Sequence, residues 1–173
     1  MISEQELLRN LRDIPDFPKK GIMFKDMTPL LSNPQAFNAV IDHFAHEFKG
    51  KGITRIVGIE ARGFIFAAAL ASNMEIGFVP IRKKGKLPYK TISAAFDLEY
   101  GTDTLEIHTD ALSCTDKVII VDDLLATGGT INAAIELVEK LGAKVHCCAF
   151  VCDLAFLKGR AKVKAPVKTL VTL

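Results

Sequence analysis

Short apolar runs alternate with segments of helical pattern along most of the chain. Four runs predict buried strands, at 54–60, 75–83, 117–123 and 144–153. Three other segments predict helices, from helical spacing or from an apolar run of helical length, at 33–48, 63–73 and 128–143. Apolar strands that alternate with helices form parallel sheets covered on both faces. The pattern therefore predicts an α/β fold with a central, mostly parallel sheet flanked by helices.

The N-terminal segment predicts a short helix followed by an extended arm. Ser3 and Glu6 have the spacing of a capping box, which predicts a helix through about Arg12. Pro15 and Pro18 then end the regular structure in a loop.

The segment TISAAFDLEYGTDTLEIHTDA, residues 91–111, predicts a hairpin. Two strand-like stretches flank the polar turn EYGTD. Because the composition is polar, we expect an antiparallel flap rather than part of the core, one that can cover a site as a lid does.

Composition and charge bound the domain count and the partners. With 173 residues and 49% hydrophobic content, the chain can bury one sizeable core, and we expect a single domain over residues 1–173. The net charge of +2 gives no reason to expect a nucleic-acid or membrane partner. No apolar run reaches about 18 residues and no secretory pattern opens the chain, so we expect a cytoplasmic protein.

The four cysteines carry little functional information. Cys147, Cys148 and Cys152 fall in the strand-like run CCAFVC without zinc-type spacing, and Cys114 stands apart. Buried, reduced thiols are favoured for all four over a metal or redox role, because cysteine is usually buried.

The run VIIVDDLLATGGT, residues 118–130, contains the main candidate site. Its strand ends at two carboxylates, and a loop of small residues then leads into a helix: Asp122 and Asp123, followed by Ala126, Thr127, Gly128, Gly129 and Thr130. Ligands bind outside the carboxyl ends of strands in open α/β sheets. Glycines let the backbone approach an anion closely, and the helix start offers free amides. We therefore expect this loop to bind a phosphate monoester.

The two carboxylates suggest what else the ligand carries. They would repel a phosphate that they faced, so they are expected to accept hydrogen bonds from sugar hydroxyls or to bind through Mg²⁺. A ribose 5-phosphate meets both requirements. A Walker-type nucleotide loop needs a lysine and then Ser or Thr after its last glycine, whereas Thr130 and Ile131 follow Gly129. The remaining alternative is a solvated strand end beside an ordinary turn.

Five separated motifs resemble the adenine branch of the type I phosphoribosyltransferase family, over essentially the whole chain. They are IPDFPKKGIMFKDMTP (14–29), GIEARGF (58–64), IRKKGKLP (81–88), DLEYGTDTLEIHTDA (97–111) and VDDLLATGGT (121–130). The resemblance implies the type I phosphoribosyltransferase fold, with a flexible catalytic flap at 90–109 and a small N-terminal hood at 1–33. It also implies the transfer of ribose 5-phosphate from phosphoribosyl pyrophosphate to N9 of adenine, which yields AMP and pyrophosphate with Mg²⁺ as cofactor.

The resemblance assigns roles to further residues. The pyrophosphate is expected to lie among basic groups, namely Arg62, Arg82, Lys83 and Lys86, because its negative charge grows as the sugar bond breaks. Glu99 is expected to handle the purine proton as general acid or base, and Tyr100 to help order the closed flap. No protein metal ligand is expected, since Mg²⁺ would be bound mainly through the sugar pyrophosphate.

The adenine pocket is likewise implied by the resemblance. Backbone groups of Met23 and Lys25 are expected to bond the edge of the base, while Phe24 stacks on one face and Leu154 packs on the other. From the pattern of residues alone, Phe24 reads more simply as a core residue. The resemblance also implies a homodimer.

Two other functions remain open at this point. One is a ligand-sensing regulator that keeps the sugar-phosphate site without catalysis, although we expect no room for an attached DNA-binding module in 173 residues. The other is an enzyme of the same fold that takes hypoxanthine, guanine or another base, against which the adenine-type motif at 14–29 speaks.

Overall fold

The computed structural model describes residues 2–98 and 101–173. The α-helices of this part are α1 (Glu4–Arg9), α2 (Thr28–Ser32), α3 (Pro34–Phe48), α4 (Gly63–Asn73) and α5 (Gly129–Lys140). The strands are β1 (Arg12–Ile14), β2 (Phe24–Asp26), β3 (Arg55–Ile59), β4 (Gly77–Lys83), β5 (Thr91–Leu98), β6 (Gly101–His108), β7 (Lys117–Leu125), β8 (Lys144–Asp153) and β9 (Val167–Thr172). Short 3₁₀ turns lie at Ala155–Leu157 and Arg160–Lys162.

In the part of the chain that the structure describes, seven strands form the central sheet, in the order β5-β6-β4-β3-β7-β8-β9. The pairings from β4 through β9 are parallel, and only the β5-β6-β4 edge is antiparallel. All four predicted strands are present, as are the three predicted helices. The mostly parallel sheet inferred from the pattern is therefore confirmed.

The two faces of the sheet bury separate hydrophobic clusters. On β7, Ile119 and Val121 face the cluster that contains α3 and α4, whereas Val118 and Ile120 face the cluster that contains α5. This alternation follows from the two-residue period of a strand, and it explains why the run is apolar at every position.

The N-terminal helix begins as predicted but ends early. The Ser3 side chain accepts a hydrogen bond from the Glu6 amide at 3.2 Å, as a capping residue should. The predicted end near Arg12 is wrong, because the helix stops at Arg9. Arg12 instead opens β1 and pairs with Asp26 of β2 in a two-stranded antiparallel sheet.

The hairpin at 91–111 is present, but its base belongs to the core. Strands β5 and β6 pair from Thr91↔His108 to Leu98↔Gly101, and β6 also joins β4. Ala94, Leu105 and Ile107 are buried against the α5 side of the sheet. The prediction that the hairpin lies apart from the core is therefore wrong for the base of the hairpin.

Three of the four cysteines are buried as predicted. All four thiols are free, and Cys147, Cys148 and Cys152 lie inside β8. Cys114 is exposed, which contradicts the expectation, because it lies in the turn between β6 and β7. Within the described ranges, no helix is long and apolar enough to cross a membrane.

Candidate active site

The predicted site residues gather at one edge of the central sheet. Strands β4, β3, β7 and β8 are parallel neighbours, so their carboxyl ends open on the same side. Glu60 to Arg62 follow β3, Asp122 and Asp123 lie near the end of β7, and Leu154 follows β8. This edge is where ligands bind in open α/β sheets.

The paired carboxylates of β7 are held away from bulk water. Asp123 is only 4% exposed and Asp122 is half-buried. The Asp123 amide donates a hydrogen bond to Asp122 Oδ1 at 2.9 Å, and Arg62 Nε lies 2.6 Å from Asp123 Oδ2. Burial raises the pKa of both carboxyl groups, the charge of Asp123 raises the pKa of Asp122 further, and Arg62 opposes the rise at Asp123.

Helix α4 begins in contact with this pair. A Cβ atom on Gly63 would lie 2.7 Å from Asp122 Oδ1 and 2.9 Å from the Val121 carbonyl oxygen. Contacts this short exclude a side chain, so the motif after β3 needs glycine here for close approach. The start of α4 and the Asp122 carboxylate are thereby packed together.

The small-residue loop leads into α5, and no side chain among the described residues caps the first amides of this helix. Gly128 is the N-cap, in the left-handed conformation with φ +86° that glycine adopts readily. The amides of the first turn have no carbonyl partner within the helix and carry its positive dipole end. Residues 125–128, with Asp122, Thr130 and others, line a cavity of about 70 Å³. This smaller cavity has the donors and the size for one phosphate group.

A larger cavity of about 460 Å³ adjoins the smaller one. Its wall contains both carboxylates, part of the loop after β3 and residues of the hairpin, namely Glu60, Ala61, Arg62, Lys83, Phe96, Asp103, Leu105, Asp122, Asp123, Leu124 and Thr130. Asp122, Leu124 and Thr130 line both cavities. A ligand with a terminal phosphate can therefore extend from the smaller cavity past the carboxylates into the larger one.

Glu60 organises the basic residues at the end of β4. Arg82 donates from Nε and Nη2 to the two oxygens of Glu60, at 3.2 and 3.0 Å. The Lys83 amide donates to Glu60 Oε2 at 3.0 Å, and Arg82 Nη1 donates to the Lys86 carbonyl at 3.1 Å. The hydrogen bonds from Arg82 hold the pKa of Glu60 below its usual value. The predicted basic set is thus partly committed to internal contacts.

Lys83 is the member of the set that lines the larger cavity together with Arg62. Its ammonium group lies 3.1 Å from Asp103 Oδ2 on β6, which ties the hairpin to β4. Lys86 is exposed and contributes its carbonyl to Arg82.

The hood brings Phe24 next to the loop after β3. The guanidinium carbon of Arg62 lies 5.0 Å from the centroid of the Phe24 ring, within the range of a cation–π contact. Phe17 packs edge-on against Phe24 at 5.1 Å between centroids. Lys25 Nζ lies 2.6 Å from Asp13 Oδ1, so its side chain is occupied on β1, and Met23 is exposed.

The remaining predicted residues divide into two groups. Leu154 is buried, and its amide donates to the Leu125 carbonyl at 2.9 Å, beside the start of the small-residue loop. Glu99 and Tyr100 lie outside the described residues.

A further cavity of about 550 Å³ lies where β3 and β4 begin, with Gly52, Ile53, Met74 and Ile76 in its wall. The carboxylates and the small-residue loop lie at the opposite ends of these strands. The candidate chemistry therefore concentrates at the carboxyl edge.

Known proteins of one family match this sequence over nearly the whole chain. The family model of the phosphoribosyl transferase domain matches residues 27–173. The adenine phosphoribosyltransferase of Syntrophotalea carbinolica is 57% identical over 159 residues, which are 91% of this chain and 93% of that protein. The chain belongs to the adenine phosphoribosyltransferase family.

Solved structures of adenine phosphoribosyltransferases have the same fold. The enzyme from Thermoanaerobacter pseudethanolicus superposes with a TM-score of 0.95 at 49% identity, covering 99% of this chain and 100% of that one. The enzyme from Trypanosoma brucei, in complex with AMP, pyrophosphate and ribose-5-phosphate, gives a TM-score of 0.90 at 26% identity. The match covers 98% of this chain and 79% of that one. The predicted family and its α/β fold are therefore confirmed.

Two contacts in this adenine phosphoribosyltransferase family site were not predicted from the sequence. Glu60 lies inside the motif GIEARGF, yet its partnership with Arg82 depends on β3 and β4 being neighbours. Asp103 meets Lys83 only because β6 pairs with β4. A carboxylate directly after one buried strand and an arginine at the end of the next were the available signal for the first contact.

Proposed function

We propose that this chain transfers ribose 5-phosphate from phosphoribosyl pyrophosphate to adenine and releases AMP and pyrophosphate, as in purine salvage. The observation that carries the proposal is the pair of adjoining cavities at the carboxyl edge. One is bounded by a phosphate-type loop, and the other joins two carboxylates to basic side chains. The donor has the same order of parts, with a phosphate, a ribose and a pyrophosphate.

The loop from Ala126 to Thr130 would hold the 5-phosphate. Its amides point from the start of α5, and Thr127 and Thr130 add hydroxyl donors. Because this phosphate does not react, the loop anchors the sugar and leaves the anomeric carbon in the larger cavity.

Asp122 and Asp123 would accept hydrogen bonds from the ribose hydroxyls. Both lie in the wall of the larger cavity, and Arg62 keeps Asp123 paired before the donor arrives. Their raised pKa values mean that these carboxylates gain from new donors, because burial has removed much of their hydration.

The pyrophosphate would be bound by Arg62 and Lys83 in the cavity wall, with Arg82 and Lys86 beside it. As the bond from the anomeric carbon to pyrophosphate breaks, negative charge grows on the leaving oxygen, and these cations stabilise it. Their effect depends on Glu60, whose carboxylate fixes the positions of the Arg82 guanidinium and of the Lys83 backbone.

The site fits Mg²⁺ that arrives on the donor. In the described part of the chain, no three His, Cys, Asp or Glu side chains are grouped so as to hold a metal ion. Mg²⁺ binds substrate phosphates readily, so the ion would be held mainly through the sugar pyrophosphate, near the Asp122 and Asp123 carboxylates that accept from the ribose. When bound, the ion would neutralise charge on the pyrophosphate.

Adenine would bind beside Phe24, with Leu154 on its other face. Phe24 already lies at the mouth of the site, against Arg62, and Lys25 directs its side chain to Asp13. The backbone of Met23 and Lys25 would therefore read the edge of the base. Glu99 would take the proton that leaves the imidazole part of adenine as the new bond to N9 forms, and Tyr100 would help order the closed flap.

The organisation that goes with this activity is one domain over residues 1–173, with a hood at 1–33 and a catalytic flap at 90–109. We further propose a homodimer that works in the cytoplasm, without nucleic-acid or membrane partners.

A base-competition assay tests the proposal. Purified protein receives Mg²⁺, phosphoribosyl pyrophosphate and equal amounts of adenine, hypoxanthine, guanine and uracil, and the nucleotides are separated by chromatography. We expect AMP to dominate and to disappear in Glu99→Ala or without Mg²⁺. IMP, GMP or UMP in its place would overturn the adenine pocket, and donor binding without any product would indicate a sensor.

A further inference from the structure

A glycine from the C-terminal part of the chain lies directly against the phosphate loop. A Cβ atom on Gly159 would lie 1.9 Å from the Ala126 carbonyl oxygen and 2.9 Å from the Thr127 carbonyl carbon. On the other side of the contact, a Cβ on Gly128 would lie 3.0 Å from the Gly159 carbonyl oxygen. The backbones of Gly159 and of residues 126–128 are therefore packed against each other without side chains between them.

The need for glycine at 159 comes from this contact alone. Its φ of −63° is open to any residue, so local conformation does not require glycine. Gly159 is buried, and the atoms it would meet are backbone atoms, which cannot rotate away as a side chain can.

Asn132, in the first turn of α5, connects the same two segments by hydrogen bonds. Its Nδ2 donates to the Lys162 carbonyl at 2.8 Å, and its Oδ1 accepts from the Lys164 amide at 3.1 Å. Its own amide donates to the Gly128 carbonyl at 3.2 Å. One side chain thus joins the helix that starts at the phosphate loop to the segment 158–164, which we name the clamp segment.

The clamp segment is in turn fixed to the sheet. Arg160 donates from Nη2 to the Val167 carbonyl at 3.0 Å and from Nη1 to Thr169 Oγ1 at 3.2 Å, both on β9. Arg160 Nη1 also lies 3.4 Å from Asp153 Oδ2, and the Asp153 carboxyl is buried at the end of β8. The clamp therefore transmits the position of β8 and β9 to the loop.

We propose that Gly159 and Asn132 are positioning residues for the sugar 5-phosphate, a role that rests on the proposed function. They hold the loop from Ala126 to Thr130 in the shape that directs its amides at the phosphate. Neither touches the reacting atoms. Loosening the clamp should weaken ligands that carry the 5-phosphate and leave ligands of the pyrophosphate site unchanged.

The test compares Asn132→Ala with the wild-type chain. We expect its KM for phosphoribosyl pyrophosphate and its Kd for AMP to rise about tenfold, as expected when two modest hydrogen bonds are lost. The Kd for pyrophosphate with Mg²⁺ and the KM for adenine should stay within about twofold of the wild-type values, because these ligands bind away from the clamp segment. Asn73→Ala is the matched control, because Asn73 is exposed at the end of α4 and its Nδ2 donates to Asp42 Oδ1 of α3 at 3.1 Å, far from the clamp segment.

Gly159→Ala supplies a second, stronger perturbation through the Ala126 carbonyl, and it should raise the Kd for AMP more than Asn132→Ala does. If Gly159→Ala fails to fold, Asn132→Ala still decides the question. Equal losses of affinity for AMP and for pyrophosphate in Asn132→Ala would overturn the positioning role. So would a Tm of unliganded Asn132→Ala so low that partial unfolding at the assay temperature explains the lost affinity for AMP. A wild-type chain that binds AMP without making it would overturn the proposed function alone, and one that binds no AMP would overturn both.

Discussion

At the scale of residues, the site brings together groups that are costly to bury. Asp122 and Asp123 lie side by side, and the pKa of each is raised. Arg62 compensates only one of them directly. Such an arrangement lowers stability in the unliganded chain and is expected where a ligand supplies the missing donors.

Replacing Asp122 should separate stability from function. A group whose pKa is raised by folding costs stability above its folded-state pKa, and the cost vanishes below the ordinary value of 3.8. Asp122→Asn should therefore raise Tm at pH 8 by about 2–4 °C, or roughly 1 kcal/mol for a chain of this size, with a shrinking gain toward pH 4. Its KM for phosphoribosyl pyrophosphate should rise at least about tenfold.

Calorimetry across this pH range measures the effect. Asp110→Asn is the control, because Asp110 is exposed in the turn after β6. A loss of Tm at pH 8 in Asp122→Asn would contradict the account of a destabilising carboxylate.

The thiols should differ sharply in reactivity. Burial raises the pKa of Cys147 to about 11 and of Cys152 to about 12, and it raises the pKa of Cys148 as well. Because the thiolate is the reactive form, only the exposed Cys114 should react with a thiol reagent in the native chain at pH 8. Mass spectrometry should find one label before denaturation and four after it. Rapid native labelling of Cys148 would contradict the burial of β8.

At the scale of elements, the neighbouring strands β3 and β4 create the basic half of the site. Glu60 follows β3 and receives a bidentate pair from Arg82 at the end of β4. Because planar, bidentate pairs fix orientation, Glu60 determines where the Arg82 guanidinium lies. The amide of Lys83 is held by the same carboxylate.

Glu60→Gln keeps the shape of this side chain and removes its charge. We expect kcat/KM for phosphoribosyl pyrophosphate to fall about tenfold, because a charge-assisted pair becomes a neutral one. The KM for adenine should be unchanged. Steady-state kinetics checks this, with Glu136→Gln as control, since Glu136 pairs with Lys140 on the exposed side of α5. Equal losses in both variants would contradict a specific role of Glu60.

At the scale of the whole molecule, parallel strands and their order account for the position of the site. The sheet order places the ends of β4, β3, β7 and β8 side by side, so that motifs far apart in the sequence meet at one edge. The hood adds Phe24 from the N-terminal side, and the clamp segment closes the phosphate loop from the C-terminal side.

The elements that could be predicted from sequence are those with strong local patterns. Helix α4 has the predicted bounds of 63–73, because its apolar run has helical length. The run begins at Gly63, where close packing leaves no room for a side chain. The pair β1 and β2 escaped prediction because each strand has three residues and depends on the other. Strand β9 has six residues, but it depends on pairing with β8 rather than on a buried apolar run of its own. Helix α1 ends early for the same reason, since Arg12 pairs across to Asp26.

The site shows the same division between local and distant information. The loop from Ala126 to Thr130 could be recognised from its glycines and threonines and from the carboxylates before it. Gly159 could not, because its backbone angles are ordinary and its requirement arises from contact with Ala126 across the fold. The contact of Arg62 with Phe24 also depends on where the hood packs.

A crystal structure with AMP, pyrophosphate and Mg²⁺ would test the central claim most directly. The account predicts the AMP phosphate on the amides of the loop from Ala126 to Thr130, the ribose hydroxyls at Asp122 and Asp123, and the adenine ring against Phe24. It also predicts pyrophosphate beside Arg62 and Lys83. A phosphate bound outside the smaller cavity, or an adenine ring away from Phe24, would contradict the assignment of the site.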